Sequence, residues 1–263
     1  MEEAAIGVFD SGVGGLTVLA AIHRRLPGES TIYLGDTARV PYGSKSPEVV
    51  IRYSRNNARF LSARNLKLLV VACNTATAHA LPTLQAELPI PVIGVVDPGA
   101  RTAAALATNK RVGVIGTAGT IASGAYQRAL AAHLPGVEVV ARPCPLFVPL
   151  AEEGWIRGDV PRAVAERYLG DLRGALDVLV LGCTHYPLLQ AEIGAVLGPE
   201  VRLVDSAEAT AAAVAGAIDS GLVPRATLPP TRRTFVTDVP ARFPEIAARF
   251  LGQVPDHVEQ VDV

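Results

Sequence analysis

Neither sign of charge dominates this chain of 263 residues: 24 Lys and Arg stand against 25 Asp and Glu, a net of −1. That balance excludes the basic footprint of a protein built to grip nucleic acid or an anionic bilayer. Long hydrophobic runs are also missing, so no segment reads as a membrane span. The opening MEEAAIGVFD has neither a basic start nor an extended apolar stretch. It does not read as a signal peptide, and a cytoplasmic protein is expected. Cysteine is scarce: Cys73, Cys144 and Cys183 form an odd set with no Cys-x-x-Cys and no zinc-ligand spacing. The pattern argues against a disulfide framework and a zinc site, and free thiols are expected. Only Lys45, Lys67 and Lys110 represent lysine, and neither Lys45 nor Lys67 reads as a buried Schiff-base lysine. The glycine loop DSGVGG (10–15) places Thr17 where a dinucleotide fingerprint needs its third glycine, and it lacks the Gly-Lys-Ser/Thr of a P-loop. No cofactor and no metal are expected.

What the chain does have is apolar mass, 49% hydrophobic against 19% charged residues, enough for a large core. Short runs recur: AIGVF (5–9), TIYLG (31–35), LLVVA (68–72), PVIGV (91–95), RVGVI (111–115), VEVVA (137–141), VLVLG (178–182), VRLV (201–204) and RTFVT (233–237). Several are apolar at consecutive positions, the mark of parallel strands buried on both faces. Segments of helical length separate them. Ser46-Pro47 opens one with an N-cap residue and an N1 proline. Val50, Tyr53, Asn57, Phe60 and Leu61 fall mostly on one face of it, with Asn57 interrupting the apolar stripe. The alanine-rich stretch from Ala207 to Ser220 reads as another helix, with Gly221 as its C′ residue. The expectation is an α/β protein with mainly parallel sheets.

The chain also repeats itself loosely. IGVFDSGVGGLTV (6–18) is echoed by VGVIGTAGTIAS (112–123), and VVACNTA by VLGCTHY. Asp10 and Cys73 are 63 positions apart, Gly116 and Cys183 are 67. Two similar α/β halves are expected. Breaks at VVDPGA (95–100) and near Asp205-Ser206 divide the chain into residues 1–97 with 206–263, and residues 98–205.

Ligands of open α/β sheets bind outside the carboxyl ends of the strands. Two of those ends carry cysteine followed by polar residues: Cys73 by Asn74 and Thr75, Cys183 by Thr184 and His185. Cys144, in ARPCPLFVP, fits a buried apolar role. Cys183 with His185 could suggest acyl transfer, but this leaves Cys73 unused. A redox pair is also possible, though its members would come from different halves. Using both thiols symmetrically gives a third chemistry, removal of a proton from one face of an amino-acid α-carbon and its return on the other. A free thiol has a pKa of about 8.5, near enough to neutrality for such acid–base work. The carbanion would need preorganised donors, and Asn74, Thr75, Thr117, Thr120 and Thr184 are of the right kind.

Together GVFDSGVGGLTV, YLGDTARVPYGSKS, VVACNTATA, VGVIGTAGTI, LVLGCTHYPLL and VDSAEATA closely resemble the glutamate racemases of the cofactor-independent aspartate/glutamate racemase group. The resemblance covers positions 6 to about 210. It implies two three-layer α/β domains related by a pseudo-twofold, with L- or D-glutamate in the cleft between them. By resemblance Cys73 and Cys183 are the catalytic acid/base thiols, Asp10 assists Cys73, and Glu152 and His185 lie near Cys183. Asp10, Ser11, Pro41, Tyr42, Gly43, Ser44, Asn74, Thr75, Thr117, Thr120, Thr184 and His185 match substrate-contacting positions. Asp36 matches a family acid without an assigned role. The resemblance further implies supply of D-glutamate to peptidoglycan, and a homodimer. An aspartate or hydantoin racemase, or a non-catalytic amino-acid-binding protein, stands as the alternative.

Overall fold

A computed structural model describes residues 3–239, 241–255 and 257–263. The chain begins with β1 (Ala5–Asp10), α1 (Leu16–Arg25), β2 (Thr31–Gly35), α2 (Pro47–Ser62), β3 (Leu66–Val71), α3 (Asn74–Glu87), β4 (Val92–Gly94) and α4 (Val96–Leu106). It continues with β5 (Arg111–Gly116), α5 (Ala118–Ala122), α6 (Ala125–His133), β6 (Glu138–Pro143), α7 (Phe147–Glu153), α8 (Asp159–Leu169), β7 (Val178–Gly182), α9 (Gln190–Leu197) and β8 (Arg202–Asp205). It ends with α10 (Ser206–Asp219), β9 (Arg232–Val236), α11 (Phe243–Leu251) and β10 (Val258–Gln260). The nine apolar runs of the sequence coincide with β1 to β9. The short edge strand β10 went unseen because its residues are only partly buried or exposed and carry no apolar pattern.

Two parallel sheets result, one ordered β10-β9-β2-β1-β3-β4 and the other β6-β5-β7-β8. The order β2-β1-β3-β4 recurs in the second sheet with every strand shifted by four. Cys73 after β3 and Cys183 after β7 therefore occupy equivalent strand ends. The central strands of each sheet are buried on both faces, as their consecutive apolar residues require. In β3, Leu68 and Val70 enter one core with residues of α1, α10 and α11, while Leu69 and Val71 enter another with residues of α2 and α3. In β7, Leu179 and Leu181 face a core shared with α7, α8 and α9, while Val178 and Val180 face one shared with α4 and α6. Each side chain so buried contributes about 1.5–3 kcal/mol relative to exposure. Among the described residues no helix is long and apolar enough to cross a membrane.

Several local readings acquire their reasons here. Asn57, which breaks the α2 stripe, is buried because its amide donates to the Tyr42 hydroxyl at 3.1 Å. Asp205 caps α10 by accepting from the Ala207 N–H at 2.7 Å, and Gly221 beyond its end has φ +76°. The break read at Pro98-Gly99 is not a gap but the first turn of α4, where proline lacks no hydrogen bond the helix needs. Lys67, which does not read as a Schiff-base lysine, is buried in an ion pair. It pairs with buried Glu29 and donates to the Pro224 carbonyl at 2.7 Å, away from the strand ends that carry the cysteines.

Candidate active site

The carboxyl ends of the two sheets face each other across one cavity. Its walls include Ser11, Gly12, Val40, Pro41, Tyr42, Gly43, Cys73, Asn74, Thr75, Thr117, Val148, Glu152, Cys183, Thr184 and His185. Both cysteine loops thus open into the same space, although their sequence positions are far apart. Gly12, Val40 and Val148 line it without having been singled out. Three anticipated residues stand elsewhere. Asp10 is fully buried and is not part of the wall, Thr120 is buried behind Thr75 and Thr117, and Ser44 is exposed outside.

Glycine permits the close approach of the two halves at two points. A Cβ on Gly14 would lie 2.2 Å from Thr184 Oγ1 and 2.5 Å from the His185 ring. One on Gly43 would lie 2.6 Å from Thr117 Cβ. Hydroxyls complete the seam. Thr75 meets Thr117 at 2.9 Å and Thr120 at 3.1 Å, and Thr117 meets Thr120 at 3.0 Å, a triangle shared between α3 and the start of α5. Thr17 donates to the Thr184 carbonyl at 3.1 Å.

The two thiols differ in surroundings. Cys73 occupies the N-cap of α3, where its sulfur accepts the Ala76 N–H at 3.4 Å. Burial and the charge of Asp10 push its thiol up to about 12, against the opposing hydrogen bonds from Ser11 and Ala76. Cys183 is buried 3.8 Å from His185 Nδ1. The other ring nitrogen lies 2.9 Å from Glu152 Oε1. Burial alone would lower the pKa of His185, but its bonds to Cys183 and Glu152 and their charges prevail and raise it to about 10. At neutral pH this imidazole is a cation between the Cys183 sulfur and the Glu152 carboxylate. Phe250 of α11 meets the His185 ring edge-on at 5.0 Å. Burial likewise pushes the Asp10 carboxyl up, offset in part by the His185 charge and by the N–H groups of Gly15, Gly12 and Ser11.

Asp36 is fully buried behind the wall rather than in it. The Tyr42 hydroxyl donates to one of its oxygens, the Thr237 hydroxyl to the other at 3.0 Å, and Arg39 approaches at 3.4 Å. It therefore anchors the loop carrying Tyr42 and Gly43. Asn74, 3% exposed, accepts the Tyr126 hydroxyl at 2.7 Å through Oδ1, while its Nδ2 has no partner. A buried amide with one unused donor beside a cavity is suited to an anionic ligand.

Similarity to known proteins identifies the family. The family described as Asp/Glu/Hydantoin racemase matches residues 6–214. The chain belongs to that family. A glutamate racemase of Geobacter metallireducens is 59% identical over 265 residues, which span 100% of this chain and 98% of the relative. The crystal structure of a glutamate racemase isoform from Bacillus anthracis superposes with a TM-score of 0.93 at 40% identity, covering 100% of this chain and 99% of its own. The glutamate racemase of Francisella tularensis, crystallised in complex with D-glutamate, superposes with a TM-score of 0.93 at 36% identity, covering 100% of this chain and 98% of its own. The racemase fold, two parallel α/β sheets flanked by helices, is common to this chain and these relatives.

Proposed function

We propose that this racemase-family chain interconverts L- and D-glutamate by a two-base mechanism that needs no cofactor. The observation that carries the reading is the meeting of Cys73 and Cys183, from equivalent strand ends, at one cavity. The glutamate racemase relatives support the substrate. One sulfur, as thiolate, takes the α-proton from one face. The carbanion left behind is held by preorganised donors in a water-poor site, and the other sulfur, as thiol, gives its proton to the opposite face. The thiols have then exchanged protonation states, and the same pair runs the reaction in reverse.

The remaining site residues take supporting roles in this scheme. Asp10 serves Cys73 from beneath. Glu152 orients His185 and keeps it charged, and His185 supports Cys183. Ser11, Pro41, Tyr42, Gly43, Asn74, Thr75, Thr117 and Thr184 shape the pocket, Thr120 braces the two threonines in front of it, and Ser44 acts from the rim.

In the cell, D-glutamate so made would feed peptidoglycan in the cytoplasm. We assign residues 1–97 with 206–263 to one domain and 98–205 to the other, with α4 leading from the first into the second, and a homodimer as the working assembly. Loss of circular dichroism from L-glutamate, with L-aspartate and a 5-substituted hydantoin run beside it, tests the substrate. Decay with glutamate alone is expected, and faster turnover of either alternative would overturn the assignment. Rescue of a D-glutamate-requiring bacterium by the gene tests the cellular role, and failure to rescue despite activity in vitro would contradict it.

A further inference from the structure

Tyr126 joins the two cysteine loops. It belongs to α6, is 1% exposed, and sends its hydroxyl to Asn74, the residue after Cys73. Its ring lies against Gly182, the residue before Cys183, where an added Cβ would come within 2.9 Å of Cε2. On the way it passes Gly99 of α4, where an added Cβ would be 3.4 Å from the phenol oxygen. Two glycines thus form the slot through which a side chain of α6 reaches α3.

From this geometry we infer that Tyr126 is a positioning residue that fixes the Asn74 amide with its NH₂ free to bind a carboxylate of the substrate. An asparagine amide can sit in either of two orientations, and its partners decide between them. The phenol hydrogen goes to Asn74 Oδ1 at 2.7 Å, while Ser206 beside the phenol donates its own hydroxyl hydrogen to the Leu181 carbonyl at 3.3 Å. The Asn74 Nδ2 that remains is buried, has no partner, and belongs to a side chain of the cavity wall. A buried unmatched donor costs free energy until an acceptor arrives, so its satisfaction adds to ligand affinity. Because Tyr126 also packs on Gly182, the residue before Cys183, a displacement of either cysteine loop is felt at the other.

The inference rests on glutamate as the substrate, and the test separates the two. Calorimetric titration with D-glutamate and steady-state kinetics in both directions are compared for the wild type, Tyr126→Phe, Asn74→Ala and the double variant. Tyr126→Phe keeps the ring and removes one oxygen. It is expected to raise Kd and KM for both enantiomers about tenfold, with a smaller change in kcat. In the Asn74→Ala background the same change is expected to add nothing, because the group it orients is gone. Full additivity, or an unchanged Kd in Tyr126→Phe, would overturn the inference while leaving the glutamate reading intact. If Tyr126→Phe does not fold, Asn74→Asp keeps an acceptor for the phenol and exchanges the NH₂ donor for a charged oxygen that cannot donate to a carboxylate. Glutamate binding as tight as in the wild type would then refute the assigned role. A wild-type chain that neither binds nor racemises glutamate would overturn the inference and the reading together.

Discussion

At Cys73 burial and the Asp10 carboxylate work against ionisation, whereas Cys183 faces the imidazolium of His185. The two sides of the cavity are therefore asymmetric: a thiol pushed up by burial and a carboxylate on one side, a charged imidazole beside the sulfur on the other. Replacing either cysteine by alanine should reduce racemisation by about a thousandfold or more, since proton transfer on one face is lost. Elimination from a glutamate that carries a β-leaving group needs only one base. Each variant should retain it for one enantiomer, opposite in the two variants, and chiral analysis of the residual substrate would show this. His185 gives a pH prediction. Its raised pKa keeps it charged through neutrality, so activity should fall as pH rises through about 10. His185→Gln should lose that alkaline limb and run about a hundredfold slower at neutral pH. Stability follows the same sign. A histidine whose pKa rises on folding, from about 6.5 in the open chain, contributes fully below that value. Its contribution is lost as pH climbs through about 10. Thermal melts of the wild type and His185→Gln should converge over that window.

Loops at strand ends set the cavity, and the seam between them is made of small residues. Gly43 packs directly on Thr117, so Gly43→Ala must push the Tyr42 loop away from α5. We expect kcat/KM to drop about tenfold and stability by about 1–3 kcal/mol, read from kinetics and urea unfolding. An alanine variant with wild-type values for both would show that the loop moves freely. At this scale much was legible in the sequence. Strands β1 to β9 announced themselves because buried parallel strands leave uninterrupted apolar runs, and the cysteine loops were visible as the polar ends of two such runs. Contacts that depend on the third dimension were not. Nothing in SGAYQRALAAH distinguishes Tyr126 from an ordinary core tyrosine, because its partner lies on α3. Lys67 gave no sign of burial because Glu29 and the Pro224 carbonyl, which make it tolerable, come from distant segments. Asp36 carried no role until Tyr42 and Thr237 were seen to donate to it.

The larger sheet is closed by strands from both ends of the chain, so β9, α11 and β10 return to the half that β1 opens. From there α11 reaches across to the other half. Arg249 donates to the Glu152 carbonyl at 2.6 Å, and Phe250 meets His185. The groups beside Cys183 are therefore held by both halves at once, as the proposed mechanism with one base from each half requires. That requirement has an isotopic signature. With unlabelled L-glutamate in D₂O, the first D-glutamate formed should carry deuterium at the α-carbon while the remaining L-glutamate stays unlabelled, because the proton is removed by one sulfur and the deuteron delivered by the other. D-glutamate that keeps the original proton, or L-glutamate that gains deuterium as fast as D-glutamate appears, would mean a single base serving both faces and would contradict the two-cysteine account.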